Sequence, residues 1–270
     1  MKIIMAYEKD ISPFESPVYE QVFPDLVLIG VHHKDVKPKG KDVYKLERKL
    51  DCLNHLAFEG TENTQKYMVE INARNYEFKA FNYFKGRKHF LDEGVEYTAI
   101  LSSQRVQKPI IAVCQILRNI REIIDAGKNG KFTQALKTYL KRTEQTIPGF
   151  SNLKTDEILE AFPYLMEKMG NSTVHEDCML ASFKFTEYRS LLRDVKIYGP
   201  KISTMRTLEG NKGAIVGGGH IKNLKAFLTG NIGSDVILWE EYVNNLDNAS
   251  RRGFGILEEW AMIHCNGSKK

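Results

Sequence analysis

Two histidines stand three residues after a glycine that closes an apolar run. Leu28-Ile29-Gly30-Val31-His32-His33 places His33 three positions beyond Gly30, and Ile215-Val216-Gly217-Gly218-Gly219-His220 repeats that separation. Glu59 follows a third apolar stretch, Leu56-Ala57-Phe58. A neutral imidazole is a metal ligand, and one titrating near neutrality is a general base. A carboxylate beside two imidazoles supplies the anionic oxygen either role uses. Together the three form the minimum ligand set for a catalytic divalent cation that keeps a position open for water. Gly30 and Gly217 are expected to let the backbone turn as each strand ends, and Gly218 and Gly219 to leave no side chain between His220 and a ligand. His32 competes with His33, because adjacent residues of an extended chain point to opposite faces. The shared spacing favours His33. Glu62 is a second candidate carboxylate, or equally a helix-start charge favoured by the macrodipole. The alternative role for each histidine is a loop cap.

Residues that act together must be brought together by regular elements. The continuous apolar run 26 to 31, preceded by Pro24-Asp25, reads as a buried parallel strand. Val43, Leu46, Leu50 and Leu53 recur at helical spacing, and Leu56 to Phe58 reads as the next strand. This is a βαβ unit. The stretch 62 to 84 has helical period and reads as a helix. The aromatic residues from Tyr76 to Phe90 interleave with Lys79, Lys85, Arg87, Lys88 and His89, a mixture able to stack bases and hold phosphates, but it reads as a core face and its solvated face. Pro109 opens a helix whose stripe Val113, Ile116, Leu117, Ile120, Ile123 and Ile124 ends at Gly127. Further helices are expected at 131–143, 155–169, 175–195 and 201–208, the last two separated by Gly199-Pro200. Strand pattern returns at 214–216, then a helix at 221–228, a strand at 235–239 and a last helix near 254–264. The expected fold is therefore α/β: a central, mostly parallel sheet built from N- and C-terminal βαβ units. It would form a single domain over 1–270, with 105–208 a mainly helical insertion or cap. In such sheets ligands bind at the carboxyl ends of the strands, where His33, Glu59 and His220 all fall.

Several chemistries are excluded by spacing. The glycine run before His220 has Lys222 where a dinucleotide-binding fingerprint needs its last glycine, and the residues after Gly127 lack phosphate-loop spacing. His175-Glu176 has Met179 where a zinc-protease helix needs its second histidine, and there is no Gly-x-Ser-x-Gly elbow. A net charge of +5 is spread along 270 residues, so nucleic acid is not an expected partner. The four cysteines form no Cys-x-x-Cys pair and read as reduced, mostly buried thiols. The apolar run near Met1 is too short for a signal-peptide core, and no window reaches the ~20 apolar residues of a membrane helix. A cytoplasmic protein with no membrane partner is the expectation.

The order strand, Gly-x-x-His, helix, strand, Glu, long helical middle, strand, Gly-x-x-His, helix resembles a known superfamily. It is similar to the grouping of TraB-type pheromone-shutdown proteins, Tiki proteases, ChaN-like haem-binding lipoproteins and erythromycin esterases. The carrying segments are Leu-Val-Leu-Ile-Gly-Val-His-His ending at His33, Leu-Ala-Phe-Glu-Gly around Glu59, and Gly-Ala-Ile-Val-Gly-Gly-Gly-His-Ile around His220. The resemblance implies that His33, Glu59 and His220 line the active cleft. It also implies a cationic role on the helix before the last motif, which Arg193-Asp194 fits by distance, with Arg189 and Arg206 as further candidates. Glu59-Gly60-Thr61 stands where the family has Glu-Leu-Asp. Members cleave peptides with a metal, hydrolyse esters with a histidine that activates water, or bind haem or iron.

The expectation is a hydrolase of peptide or ester bonds acting on a small-molecule or peptide substrate. His33 or His220 would activate water, directly or on a divalent metal (Mn, Co or Zn) held by His33, Glu59 and His220. Arg193 would stabilise the oxyanion. The rival is a non-catalytic protein that binds a metal, a haem or a partner in the same cleft. A homo-oligomer suits either.

Overall fold

The computed structural model of the chain describes residues 16–32, 38–70, 75–95, 100, 114, 117, 134, 172–233, 235 and 238–265. Contacts gather the chain into two compact units, Met1–Val95 with Ser190–Val236, and Glu96–Arg189 with Ile237–Lys270.

The first unit is α/β. Its elements are β1 (Val18–Phe23), β2 (Leu26–Val31), α1 (Gly40–Leu50), β3 (His55–Phe58), α2 (Glu62–Glu70), α3 (Tyr76–Tyr83) and β4 (Arg87–Phe90). They are followed by the end of α4 (Ser172–Arg193), a π-helical turn (Asp194–Tyr198), α5 (Gly199–Met205), β5 (Lys212–Gly217), a 3-10 turn (Gly218–His220) and α6 (Ile221–Leu228). The sheet order is β1-β2-β5-β3-β4, with β1 antiparallel to β2 and every other pairing parallel. The strand that carries His220 is therefore inserted between the two that carry His32 and Glu59. All six residues of β2 and all six of β5 are buried, because each of these strands has neighbours on both edges and cover on both faces.

Alternation decides which side chains face which layer. Val27, Ile29, Val31, Leu56, Phe58 and Ile215 share one face and pack with Leu46 and Leu50 of α1 and Tyr76 and Ala80 of α3. Gly30 has the opposite parity, and a Cβ there would lie 2.9 Å from Ile221 Cγ1 and 3.3 Å from Gly218 Cα. The 3-10 turn and α6 thus press on the second face. Gly30 is needed for that close approach rather than for the turn expected of it, and Gly217 keeps an ordinary φ of −54°. The two glycines are also not equivalent in register, since Gly30 lies opposite Val216 and Val31 opposite Gly217.

The segment 62–84 is not one helix. It divides into α2 and α3, with Asn75 capping α3 by accepting from Phe78 N at 2.7 Å, and it leads into β4, an edge strand not expected from sequence. Gly199-Pro200 does not separate two helices either. The five-residue turn lets the chain run from α4 into α5, with Pro200 in the first turn, where a missing N–H costs least. The closing strand expected at 235–239 is absent among the described residues, and Trp239 instead opens α7 (Trp239–Asn244). The final helix, α8, starts earlier than its apolar pattern suggests and spans Asn248–Cys265. The helices expected at 109–127, 131–143 and 155–169 lie outside the described residues, except that Cys114, Leu117 and Gln134 are helical.

The second unit is held by an aromatic cluster. Trp239 meets Phe185 and Phe254 edge-on, with ring centroids 5.5 and 4.9 Å away, and Tyr188 lies 5.1 Å from Trp239. Arg252 forks onto Asp177 with bonds of 2.8 and 3.2 Å. Among the described residues no helix is long and apolar enough to cross a membrane.

Candidate functional site

The carboxyl ends of three parallel strands deliver three polar side chains to one place in the first unit. Glu59 is the first residue past β3, Asp92 the second past β4 and His220 the third past β5. The π-helical turn and the end of α4 bring the groups that bind them. Arg193 Nη1 donates to Glu59 Oε1 at 3.0 Å, and Nη2 donates to Asp92 Oδ2 at 2.9 Å. The same Asp92 oxygen accepts from Tyr198 OH at 3.1 Å and from Gly60 N at 3.0 Å. Glu59 Oε2 accepts from Gly217 N at 2.8 Å, tying the end of β3 to the end of β5.

His220 lies between two carboxylates. Its Nδ1 is 2.6 Å from Asp194 Oδ1 and 3.2 Å from Ser190 Oγ, and its Nε2 is 3.6 Å from Glu59 Oε1. Asp194 is 0% exposed and also accepts from Asn223 Nδ2 at 3.0 Å. The Tyr198 ring lies against the imidazole, with centroids 5.4 Å apart, and under the Arg193 guanidinium at 5.1 Å. Arg193 and Tyr198 are five residues apart, a spacing that an α-helix splays and a π turn stacks.

Burial alone would lower the pKa of the imidazole, but Asp194 and Glu59 outweigh it and raise His220 to about 9. Burial likewise pushes the Asp194 carboxyl up, opposed by its bonds to His220 and Asn223. At neutral pH the ring is therefore the imidazolium, with Nδ1–H donating to Asp194 and Nε2–H facing Glu59; because Asp194 retains the Nδ1 proton, Nε2 is the nitrogen freed for chemistry as pH rises through about 9.

Of the residues expected from sequence, Glu59, His220 and Arg193 come together here, with Asp194 beside them. His33 lies outside the described residues, and His32 is half-buried past the end of β2. Glu62 is elsewhere: it opens α2 on the surface, paired with Lys66 at 2.8 Å. Arg206 is at the other end of the strands, 3.5 Å over the Phe23 ring and beside Asp25, and Arg189 belongs to the second unit. Asp92, Tyr198, Ser190 and Asn223 also belong to the site. Ser190, Arg193, Asp194 and Tyr198 carry a readable signal, polar groups recurring at near-helical spacing among the apolar Leu191, Leu192, Val195 and Ile197. Asp92 carries only a faint one, an acid after Phe90-Leu91 that echoes Glu59 after Ala57-Phe58.

Among the described residues no group of three His, Cys, Asp or Glu side chains is arranged to hold a metal ion. Of the described donors, Glu59 fits one poorly. Both Glu59 oxygens already accept hydrogen bonds, and the Arg193 guanidinium occupies the place between Glu59 and Asp92 that a cation would take.

Fold and site define an α/β protein with a buried acid–base cluster at the carboxyl ends of its parallel strands. No family model, curated protein or solved structure matches the chain.

Proposed function

We propose that the protein is a hydrolase of ester or peptide bonds in which His220, oriented by Asp194, activates water without a metal ion. The observation that carries this reading is the 2.6 Å bond between a fully buried carboxylate and an imidazole whose other nitrogen faces Glu59 at 3.6 Å, beyond hydrogen-bond distance. In the free-base form Nε2 takes a proton from water as the water attacks the carbonyl carbon. The resulting imidazolium is stabilised by Asp194 and returns the proton to the leaving alkoxide or amine. Arg193 supplies the neighbouring positive charge for the oxyanion, and Glu59 holds it there. Ester hydrolysis by a histidine that activates water is one activity the sequence resemblance implies.

Chelator-treated protein is to be assayed on short-chain nitrophenyl esters and on a mixed fluorogenic peptide pool. The expected result is turnover that survives chelation and drops roughly 100-fold or more in His220→Ala. Because the acting form is the free base, kcat/KM rises with pH and levels off above about 9. Activity that appears only on adding Mn, Co or Zn would replace this reading with a metal-dependent one. Absence of turnover on both substrate classes, with stoichiometric haem or metal on the purified protein, would replace it with the binding reading.

A further inference from the structure

Asp92 has no place in the hydrolytic step above, yet a single oxygen of it accepts from three separate elements: the turn after β3 through Gly60 N, the end of α4 through Arg193, and the π-helical turn through Tyr198. Its side chain is 10% exposed. The geometry of Arg193 shows what that convergence does. A guanidinium facing one carboxylate closes on it with two parallel bonds, which neutralise it most fully. Here one nitrogen goes to Glu59 and the other to Asp92, 3.0 and 2.9 Å away. Glu59 Oε1 is left facing both Arg193 Nη1 and His220 Nε2.

We propose that Asp92 is a positioning residue that draws one arm of Arg193 off Glu59, so that Arg193 meets Glu59 through one nitrogen and Glu59 Oε1 also faces His220 Nε2. Asp92 acts through Arg193 and touches no reacting group. The backbone donor Gly60 N fixes the Asp92 oxygen where it can compete, with Tyr198 OH an additional bond that the pairing does not require, so the edge strand β4 is coupled to the acid–base pair two strands away. Without the Asp92 charge the second nitrogen loses its anchor, and rotation about Nε–Cζ exchanges the two Nη groups.

The test needs no substrate, so it stands apart from the hydrolytic reading. In protein labelled with 15N-arginine, a guanidinium held on two different carboxylates gives separate, slowly exchanging signals for its two Nη groups. Arg193 signals are assigned by their loss in Arg193→Lys. In the wild-type protein two resolved Nη groups are expected, and one averaged signal overturns the proposal whatever the variants do. Asp92→Asn is expected to merge them and speed their exchange with water at least ~10-fold, the effect of losing one charge-assisted hydrogen bond. Two Nη groups still resolved and protected in folded Asp92→Asn overturn it. Tyr198→Phe, which keeps both carboxylates, is expected to leave the two groups resolved. If it merges them as Asp92→Asn does, looser packing explains the change and the proposal fails.

Discussion

Replacing Asp194 with asparagine should flatten the dependence of stability on pH above neutrality. His220 rises from 6.5 to about 9 on folding because Asp194 and Glu59 flank a ring that burial alone would keep neutral. A group whose folded pKa is raised contributes stability that is complete below its unfolded value and is lost as pH climbs through its folded value. The window is therefore about 6.5 to 9. At ~1.4 kcal/mol for each tenfold gain in proton affinity, the contribution has a ceiling of about 3 kcal/mol. The cost of burying ionised Asp194, whose own pKa is pushed up, reduces it. Denaturant unfolding at pH 6, 7.5 and 9.5 should show the wild-type protein losing on the order of 1–3 kcal/mol across that series. The amide in Asp194→Asn retains an acceptor for Nδ1–H but no charge, so the variant's series should be much flatter, and its His220 should titrate well below the wild-type value by NMR. If the variant loses as much stability between pH 6 and 9.5 as the parent does, the proton is not held by this pair and the reasoning is wrong.

Three further outcomes follow from the packing. In Gly199→Ala the new methyl would overlap the Phe227 ring and lie 2.8 Å from Asp194 O, a backbone atom that cannot yield; a loss of about 1–3 kcal/mol is expected, and a melting temperature equal to wild type would contradict the close approach. Phe58→Ala empties a fully buried site beside Phe81 and Phe90 and should cost about 3–5 kcal/mol in equilibrium unfolding, where a cost below ~1 kcal/mol would mean the β3 face is not packed as described. His89 is held below its ordinary pKa by burial and by His55 and Arg87, so it adds to the stability lost as pH falls below 6.5. His89→Gln should accordingly be less acid-sensitive than wild type between pH 7 and 5, and equal sensitivity would rule that contribution out.

The parts of the fold legible from residue order are those in which burial leaves a local period. Leu26–Val31 is apolar throughout because both its faces are covered, and Leu46 and Leu50 sit one helical turn apart because α1 turns a single face to the sheet. Glu59 and His220 stand out for the same reason, as the first polar side chains after buried strands. β4 left no such trace: it is an edge strand whose Arg87, Lys88 and His89 read as a solvated helix face, and only pairing with β3 makes it extended. Gly199-Pro200 reads as a helix stop, whereas the π turn before it absorbs the proline and stacks Arg193 on Tyr198.

The residue types and their placement at strand ends were thus settled locally, while their partners were not. Arg193 reaches Glu59 across 134 residues and Asp92 across 101, distances over which no sequence period extends. Those pairings exist because β5 enters the sheet between β2 and β3, and because the chain passes over the strand ends in a π turn just before it does so. The chain's own order supplied two histidine motifs and a glutamate. The packing of the π turn on the end of β5 made Asp194 the partner of His220 across 26 residues. The sheet order put Arg193 between two carboxylates and brought in Asp92, because charge pairs separated by a hundred residues are chosen by topology rather than by neighbours in the chain.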